Sequence, residues 1–161
     1  MDLLTLALVC GPWVAPATTL RVIAVESAGA VFAIHDNSSG RSFSPTNARS
    51  AEELAASLIT AGHSVDLGLM QVNYSVWLKP NRIRLDQAFN PCINIALGTT
   101  ILSAAYAHEL ARRQAPAQAL ERALSVYNSG NDNRALRYAQ KVFAQHLASE
   151  HRTLTRATRL P

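Results

Sequence analysis

Signals that start or end a helix recur along the whole chain. Asn90-Pro91 predicts a helix start, because a capping side chain directly precedes a proline at the first helical position. Gly11-Pro12 and Gly62 predict helix ends, and apolar residues at helical spacing lie between such signals. The chain is therefore expected to consist mainly of short helices. The other predicted helix starts are a cap at Thr18 or Thr19, a capping box at Ser50 and Glu53, Pro116, and a cap at Asn133.

The helical pattern breaks between Val31 and Ser44. The segment FAIHDNSSGRSF predicts a short hairpin with its turn at residues 37–40, where Asn, two Ser and Gly follow one another. A length of 161 residues fits one domain. The predicted fold class is therefore mainly α, a single α-rich domain with a small β-hairpin excursion.

Composition favours a globular protein, since 48% of the residues are hydrophobic and 16% are charged. No apolar run approaches the roughly 20 residues of a membrane-spanning helix, so no transmembrane segment is expected. The formal charge of +4 is uneven: residues 134–161 have six Lys/Arg and one Glu, whereas residues 1–133 have nine Lys/Arg and ten Asp/Glu. We therefore divide the chain into a domain over 1–133 and a basic helical segment over 134–161.

The basic segment has two interpretations. It is either a docking arm for an anionic partner or a solvated helix face with a frayed end. Neither interleaved aromatic residues nor zinc-finger spacing accompanies the charge, so we expect no nucleic-acid partner.

The N-terminal segment is a poor signal peptide. Its apolar run from Leu3 to Val9 is short, and Asp2 stands where a signal peptide has Lys or Arg. We interpret it as the first helix of the domain. Cys10 and Cys92 would form a disulfide in an oxidising compartment and stay buried thiols in the cytosol.

Glu26 is the main candidate for acid–base chemistry. It ends the apolar stretch VIAVE, where partial burial would raise its pKa and keep it protonated near neutral pH. An ordinary exposed glutamate at a helix end is the alternative. Asp36 and Asp66 are either second carboxylates or loop caps. The five histidines lack metal-ligand spacing, so we expect neither a metal nor another cofactor.

Several fragments resemble, in sequence and order, the soluble lytic transglycosylases of the lysozyme superfamily. They are ES at 26–27, GLMQVN at 68–73, FNPCINIALGTTIL at 89–102 and ALSVYNSG at 123–130. AVESAGAVFAIHDN and AGHSVDLGLMQVN narrow the resemblance to the VirB1-like transglycosylases of type IV secretion systems. The resemblance covers roughly residues 8–132, and the combination of fragments is highly specific.

The resemblance implies a lysozyme-like α+β fold and a cofactor-independent enzyme that cleaves peptidoglycan. Glu26 falls on the single catalytic glutamate of the family, which protonates the bond between N-acetylmuramic acid and N-acetylglucosamine. It then accepts the proton of the muramyl C6 hydroxyl, so that a 1,6-anhydro product forms without a second catalytic carboxylate. The implied setting is a periplasmic monomer that opens the cell wall for secretion-system components.

The resemblance also implies the residues that bind the glycan. Ala30-Val31 replace the Asn-Pro of many relatives, and His35 occupies a later position where many have a small hydroxyl residue. His35 therefore faces the cleft or only stabilises the hairpin. The family pattern favours a disulfide between Cys10 and Cys92. The implied binding residues are Ser27, His35, Gly68, Met70, Gln71, Asn94, Tyr127 and Asn128.

Two other functions stay open at this stage. One is a hydrolytic muramidase of the same fold, which would position water opposite Glu26. The other is a non-catalytic, glycan-binding assembly factor of the secretion system, with the basic segment as its docking arm.

Overall fold

A computed structural model describes residues 1–145 of the chain. Helices dominate, and four short strands lie between the second and fourth helices. The helices are α1 (Leu3–Cys10), α2 (Pro16–Glu26), α3 (Ala48–Thr60), α4 (Leu85–Ala88), α5 (Pro91–Ala111), α6 (Pro116–Ser129) and α7 (Leu136–Phe143), with one π-helical turn at Tyr74–Leu78. The strands are β1 (Ile34–Asp36), β2 (Arg41–Phe43), β3 (Val65–Leu67) and β4 (Val72–Asn73).

Most predicted helix boundaries are confirmed, and three caps differ. α2 begins with Pro16 at its first position, so neither Thr18 nor Thr19 caps it; Thr19 is buried inside the helix. The side chain of Asn47 caps α3 by accepting the backbone N–H of Ser50, which displaces the predicted capping box. α7 begins after Ala135, two residues beyond the predicted cap at Asn133.

The strands form one antiparallel sheet in the order β2-β1-β3-β4. The predicted β1–β2 hairpin is confirmed, with Asp36 opposite Arg41. The second pair, β3 and β4, was not predicted, and it places the GLMQ segment in the turn between the two strands. Ile34, Val65 and Leu67 point into the core. The fold is thus a single α+β domain, as expected for a lysozyme-like protein.

The long helix α5 is packed between α1 and α6, and α6 in turn packs on α7. Cys10 at the end of α1 and Cys92 at the start of α5 form a disulfide, with 5.2 Å between their Cα atoms. α7 also contacts α2 and buries Tyr138, Ala139 and Val142. The first part of the predicted basic segment therefore belongs to the packed structure. The rest, from residue 146, lies outside the described residues, and the division at residue 133 stays a prediction.

None of the helices described within residues 1–145 is long and apolar enough to cross a bilayer.

Candidate active site

Glu26 is the last residue of α2, and its position follows from the packing of that helix. Val22 and Ile23 are buried in the core, so the following turn carries Glu26 to the edge of the apolar interior. Burial raises the pKa of the Glu26 carboxyl from 4.5 to about 7; a hydrogen bond from Tyr138 opposes this shift, and the nearby charge of Asp66 adds to it. The carboxyl group therefore holds its proton at pH values below about 7, as a general acid must.

Tyr138 on α7 supports the carboxyl group directly. Its hydroxyl donates a hydrogen bond to Glu26 Oε1 at 2.5 Å, across 112 residues of sequence. Burial raises the pKa of the Tyr138 hydroxyl, so the phenol stays neutral and keeps its proton for this bond. One oxygen of Glu26 is thus held in place, and the carboxyl group has a defined orientation toward the cleft.

Asp66 on β3 is a second carboxylate in the same cleft. Asn37 Nδ2 donates to its Oδ2 at 2.9 Å, and Asn73 Nδ2 donates to its Oδ1 at 2.7 Å. Burial raises the pKa of Asp66, whereas these two hydrogen bonds lower it. Of the two interpretations made from the sequence, the structure favours a cleft position for Asp66 over that of a simple loop cap.

Asp36 has a different environment and lies outside the cleft. It accepts hydrogen bonds from Ser39 Oγ at 2.5 Å, from the Ser38 N–H at 3.0 Å and pairs with His63 Nδ1 at 2.8 Å. These contacts, led by the Ser39 bond, lower its pKa to about 2. Asp36 therefore holds the turn between β1 and β2, which agrees with the loop-cap alternative.

The cleft consists of two adjoining cavities that meet at Glu26 and Asp66. The larger one, the apolar half-cleft, has a volume of about 690 Å³. The smaller one, the polar half-cleft, has a volume of about 420 Å³. The apolar half-cleft is lined in part by Val76, Trp77, Leu97, Ile101, Ala105 and Tyr127. The polar half-cleft is lined in part by His35, Ser42, Tyr138 and Lys141. Two adjoining cavities with an acid at their junction can hold a linear polymer on both sides of that acid.

The GLMQ segment is a tight loop packed beneath the cleft. Gly68 has a φ of +78°, and a Cβ atom there would lie 2.5 Å from Asn94 Nδ2, so the position requires glycine. Gln71 also has a positive φ, +48°, and its amide donates to the carbonyl oxygens of Ala33 and Gly68 at 3.1 and 2.8 Å. The amide therefore holds the loop closed and reaches the cleft surface at the same time.

Side chains from three helices hold the backbone of this loop. Asn94 on α5 accepts the Met70 N–H at 2.8 Å and donates to Leu67 O and Ala88 O. Ser27 Oγ donates to Leu69 O at 2.8 Å, and Tyr127 OH donates to Met70 O at 2.7 Å. The loop that lies next to Glu26 is thus fixed by α2, α5 and α6.

The Transglycosylase SLT domain model matches residues 10–147 of the chain. The chain belongs to this family. The match agrees with the resemblance to VirB1-like transglycosylases that the sequence fragments indicated.

Individual relatives carry the virB1 name. The "Protein virB1" of Agrobacterium fabrum strain C58 is 34% identical over 126 residues, which is 76% of this chain and 49% of the relative. The "Type IV secretion system protein virB1" of Brucella abortus biovar 1 is 33% identical over 150 residues, 88% of this chain and 62% of the relative. The chain thus spans about half to three fifths of the length of these relatives. No solved structure matches the chain significantly.

Within this SLT domain, five of the predicted site residues line the cleft. They are Glu26, His35, Gln71, Tyr127 and Asn128. His35 lines the polar half-cleft, and its Nδ1 also lies 2.9 Å from Ser42 Oγ of the neighbouring strand, so its contact within the hairpin does not keep it out of the cleft.

The other four predicted binding residues lie beneath the cleft surface. Met70 is fully buried and packs against Gly98, so it belongs to the core and forms no adaptable wall for a sugar. Gly68 and Asn94 pack against each other, and Ser27 bonds to the loop backbone. These residues support the site and do not line it.

Tyr138, Asp66 and Lys141 also line the cleft. Asp66 was named as a candidate from the sequence, whereas Tyr138 and Lys141 were not predicted as site residues. The spacing of Tyr138, Ala139 and Val142 at helical intervals was the available signal that α7 has a buried face. Among residues 1–145, no group of three or more His, Cys, Asp or Glu side chains is placed to hold a metal ion.

Proposed function

We propose that this chain is a peptidoglycan lytic transglycosylase with Glu26 as its general acid and base. The observation that carries the proposal is the Glu26 carboxyl group, protonated up to a pH of about 7, at the junction of the two half-clefts. Glu26 donates its proton to the glycosidic oxygen between N-acetylmuramic acid and N-acetylglucosamine as the bond from the muramyl C1 breaks.

The second half of the reaction uses the same carboxyl group. The ionised Glu26 accepts the proton of the muramyl C6 hydroxyl while that oxygen bonds to C1, which closes the 1,6-anhydro ring. No water is consumed, and Glu26 ends the cycle protonated. The hydrogen bond from Tyr138 to Oε1 holds the carboxyl group through both steps and stabilises its ionised form between them.

Hydrolysis is the second candidate, and the position of Asp66 favours it. A carboxylate that shares the cleft with the general acid can stabilise a positively charged sugar intermediate or activate water. Such an enzyme would leave reducing ends. Transglycosylation is preferred because family membership supports it directly.

We propose peptidoglycan glycan strands as the substrate and a type IV secretion system as the setting, on the basis of the names of the relatives. Access to the cell wall implies action outside the cytoplasm, in the periplasm. The Cys10–Cys92 disulfide supports this location, because disulfides persist in oxidising compartments. Mass analysis of exported protein without reductant should find no free thiol. Two free thiols would contradict both the disulfide and this argument for the location.

The test of the reaction is digestion of purified peptidoglycan, with products identified by mass spectrometry. The wild type should release 1,6-anhydromuropeptides, and Glu26→Gln should release none. Glu53→Gln, which changes an exposed glutamate on α3, serves as the matched control and should retain activity. Reducing-end products from the wild type would establish the hydrolytic alternative. Glycan binding without any product would instead support a non-catalytic assembly factor.

A further inference from the structure

Lys141 brings a positive charge into the polar half-cleft. It lies on α7 three residues after Tyr138, so the two side chains project from the same face of the helix. Tyr138 reaches Glu26, and Lys141 lines the same cavity. The other basic group that lines this cavity is His35. The apolar half-cleft has no Lys, Arg or His among its lining residues.

The ammonium group of Lys141 has no carboxylate partner within the described part of the chain. The ion pairs found there involve Arg49, Arg84, Arg112, Arg122 and His63. The two carboxyl groups of the cleft have other contacts, since Glu26 accepts from Tyr138 and Asp66 accepts from two asparagine amides. Among residues 1–145, no carboxyl group therefore competes with a ligand for the charge of Lys141.

We propose that the polar half-cleft is a subsite for a carboxylate on the C3 branch of muramic acid, with Lys141 as its ionic contact. This inference rests on the proposed function, because muramic acid carries an acidic branch at C3 and N-acetylglucosamine does not. The carboxylate is either the lactyl group of a sugar without a peptide or a carboxylate of the peptide where the lactyl group is amidated. Asn128 and Ser42 line the same cavity and supply neutral polar groups beside the charge.

The asymmetry of the cleft strengthens this assignment. Trp77 and Val76 are exposed in the apolar half-cleft and offer surface for the apolar faces of sugar rings. A carboxylate placed there would lose water without gaining a cation. The acidic branch should therefore lie in the polar half-cleft, so that Lys141 selects which sugar occupies the position beside Glu26.

Binding of soluble glycan fragments provides the first test. The fragments are a peptide-bearing tetrasaccharide, the same sugar with its peptides removed by an amidase, and an N-acetylglucosamine tetramer. Measured in a Glu26→Gln background to prevent turnover, Lys141→Gln should raise the Kd for the muramyl fragment whose carboxylate Lys141 contacts by about threefold to tenfold. Affinity for the N-acetylglucosamine tetramer should not change.

The amidase-treated fragment distinguishes the two sources of the carboxylate. The amidase frees the lactyl carboxylate, which is an amide in the peptide-bearing fragment, so a loss of affinity confined to the amidase-treated fragment assigns the contact to the lactyl group. A loss for both muramyl fragments, without one for the N-acetylglucosamine tetramer, means that Lys141 accepts either carboxylate. A loss confined to the peptide-bearing fragment assigns it to the peptide. An equal loss for all three fragments, or no loss for any, would overturn the proposal.

Two further variants separate charge from structure. Lys141→Arg should restore most of the affinity, because it retains the charge. Lys79→Gln is the matched control: it changes the other lysine of the chain, which is exposed and lines neither cavity. Raising the ionic strength should weaken binding of muramyl fragments to the Lys141 protein and have little effect on Lys141→Gln.

Measurements of turnover separate a failure of this inference from a failure of the proposed function. On strands that carry the carboxylate identified by the binding test, Lys141→Gln in the otherwise wild-type protein should raise KM by a similar factor and leave kcat unchanged. If no glycan is cleaved but the binding contrast holds, the proposed function fails and the subsite stands. If cleavage proceeds and Lys141→Gln changes neither KM nor binding, the subsite fails and the function stands.

Discussion

The cleft around Glu26 and the turn around Asp36 shift the pKa of a carboxyl group in opposite directions. Asp36 is 1% exposed, yet its pKa falls to about 2. Glu26 is less enclosed, and its pKa rises to about 7. Hydrogen bonds, first of all that from Ser39, determine the shift at Asp36, whereas burial determines the shift at Glu26, to which Tyr138 is the one side-chain donor among residues 1–145. Burial without enough donors favours the neutral acid.

The comparison separates a stabilising carboxylate from a reactive one. Hydrogen bonds to Asp36 join the β1–β2 turn to the loop before β3, and the charge is part of the folded structure. Burial instead makes the ionised form of Glu26 unfavourable, and the charge of the neighbouring Asp66 adds to this effect. Such an effect is typical of a site whose proton has to be transferred.

The largest expected effect is on catalysis. Glu26→Gln removes the transferable proton and should lower the rate of anhydro-product formation by about 10²- to 10⁴-fold. Asp36→Asn should leave the rate within about threefold, since Asp36 lies outside the cleft. Rates on purified peptidoglycan, with folding checked by circular dichroism, test this contrast. Equal losses in both variants would remove the distinction between the two acids.

The pH dependence of stability should have opposite signs for the two acids. Between pH 4.5 and about 7, native Glu26 binds more protons than the unfolded chain, so its contribution to stability decreases as pH rises. The loss amounts to about 3 kcal/mol across that window. Glu26→Gln should remove this slope in urea unfolding at a series of pH values. An unchanged slope would mean that Glu26 does not titrate there.

Asp36 affects the stability of the fold at low pH. Its folded pKa of about 2 lies below the ordinary value of 3.8, so its stabilisation is present above pH 3.8 and is lost as pH falls toward 2. Asp36→Asn should lower Tm at pH 7 by about 5 °C, because one oxygen that accepts hydrogen bonds is replaced by a donor. Asp86→Asn, in an exposed ion pair with Arg84, is the control and should shift Tm much less.

The smallest expected effect concerns Tyr138. Tyr138→Phe deletes the hydrogen bond that lowers the pKa of Glu26, so the descending limb of the pH–rate profile should move to higher pH by about half a unit or more. The rate at pH 6 should fall a few-fold, because the carboxyl group loses its orientation. A lower rate with an unshifted limb would indicate a purely structural role for Tyr138.

Much of the fold was predictable because its helices have strong local signals. Asn90-Pro91 and Pro116 start α5 and α6 as expected, and residues 37–40 form the hairpin turn. The β3–β4 pair was missed because its strands have only three and two residues, too few for an alternating pattern. The left-handed conformation of Gln71 in that turn is also not typical of glutamine.

A site residue was predictable from the sequence only where it lies within a recognisable motif. Glu26, Gln71 and Tyr127 lie in recognisable fragments, and all three line the cleft. Tyr138 reaches Glu26 from α7, and these residues are 112 positions apart in the sequence. No local pattern shows that α2 and α7 pack together. Met70 was misplaced because a motif identifies a position without showing whether its side chain faces the ligand or the core.

The Cys10–Cys92 disulfide closes a covalent ring over residues 10–92 that contains Glu26, Asp66 and the whole sheet. Tyr127 and Tyr138 contact this ring from the chain that follows it. A protease cut in the exposed turn at residues 38–40 would therefore leave a nicked protein that migrates as one molecule without reductant. Reduction would then release the fragment with Glu26 from the one that holds GLMQ. The bond thus keeps the acid and its supporting loop together even after the chain is cut.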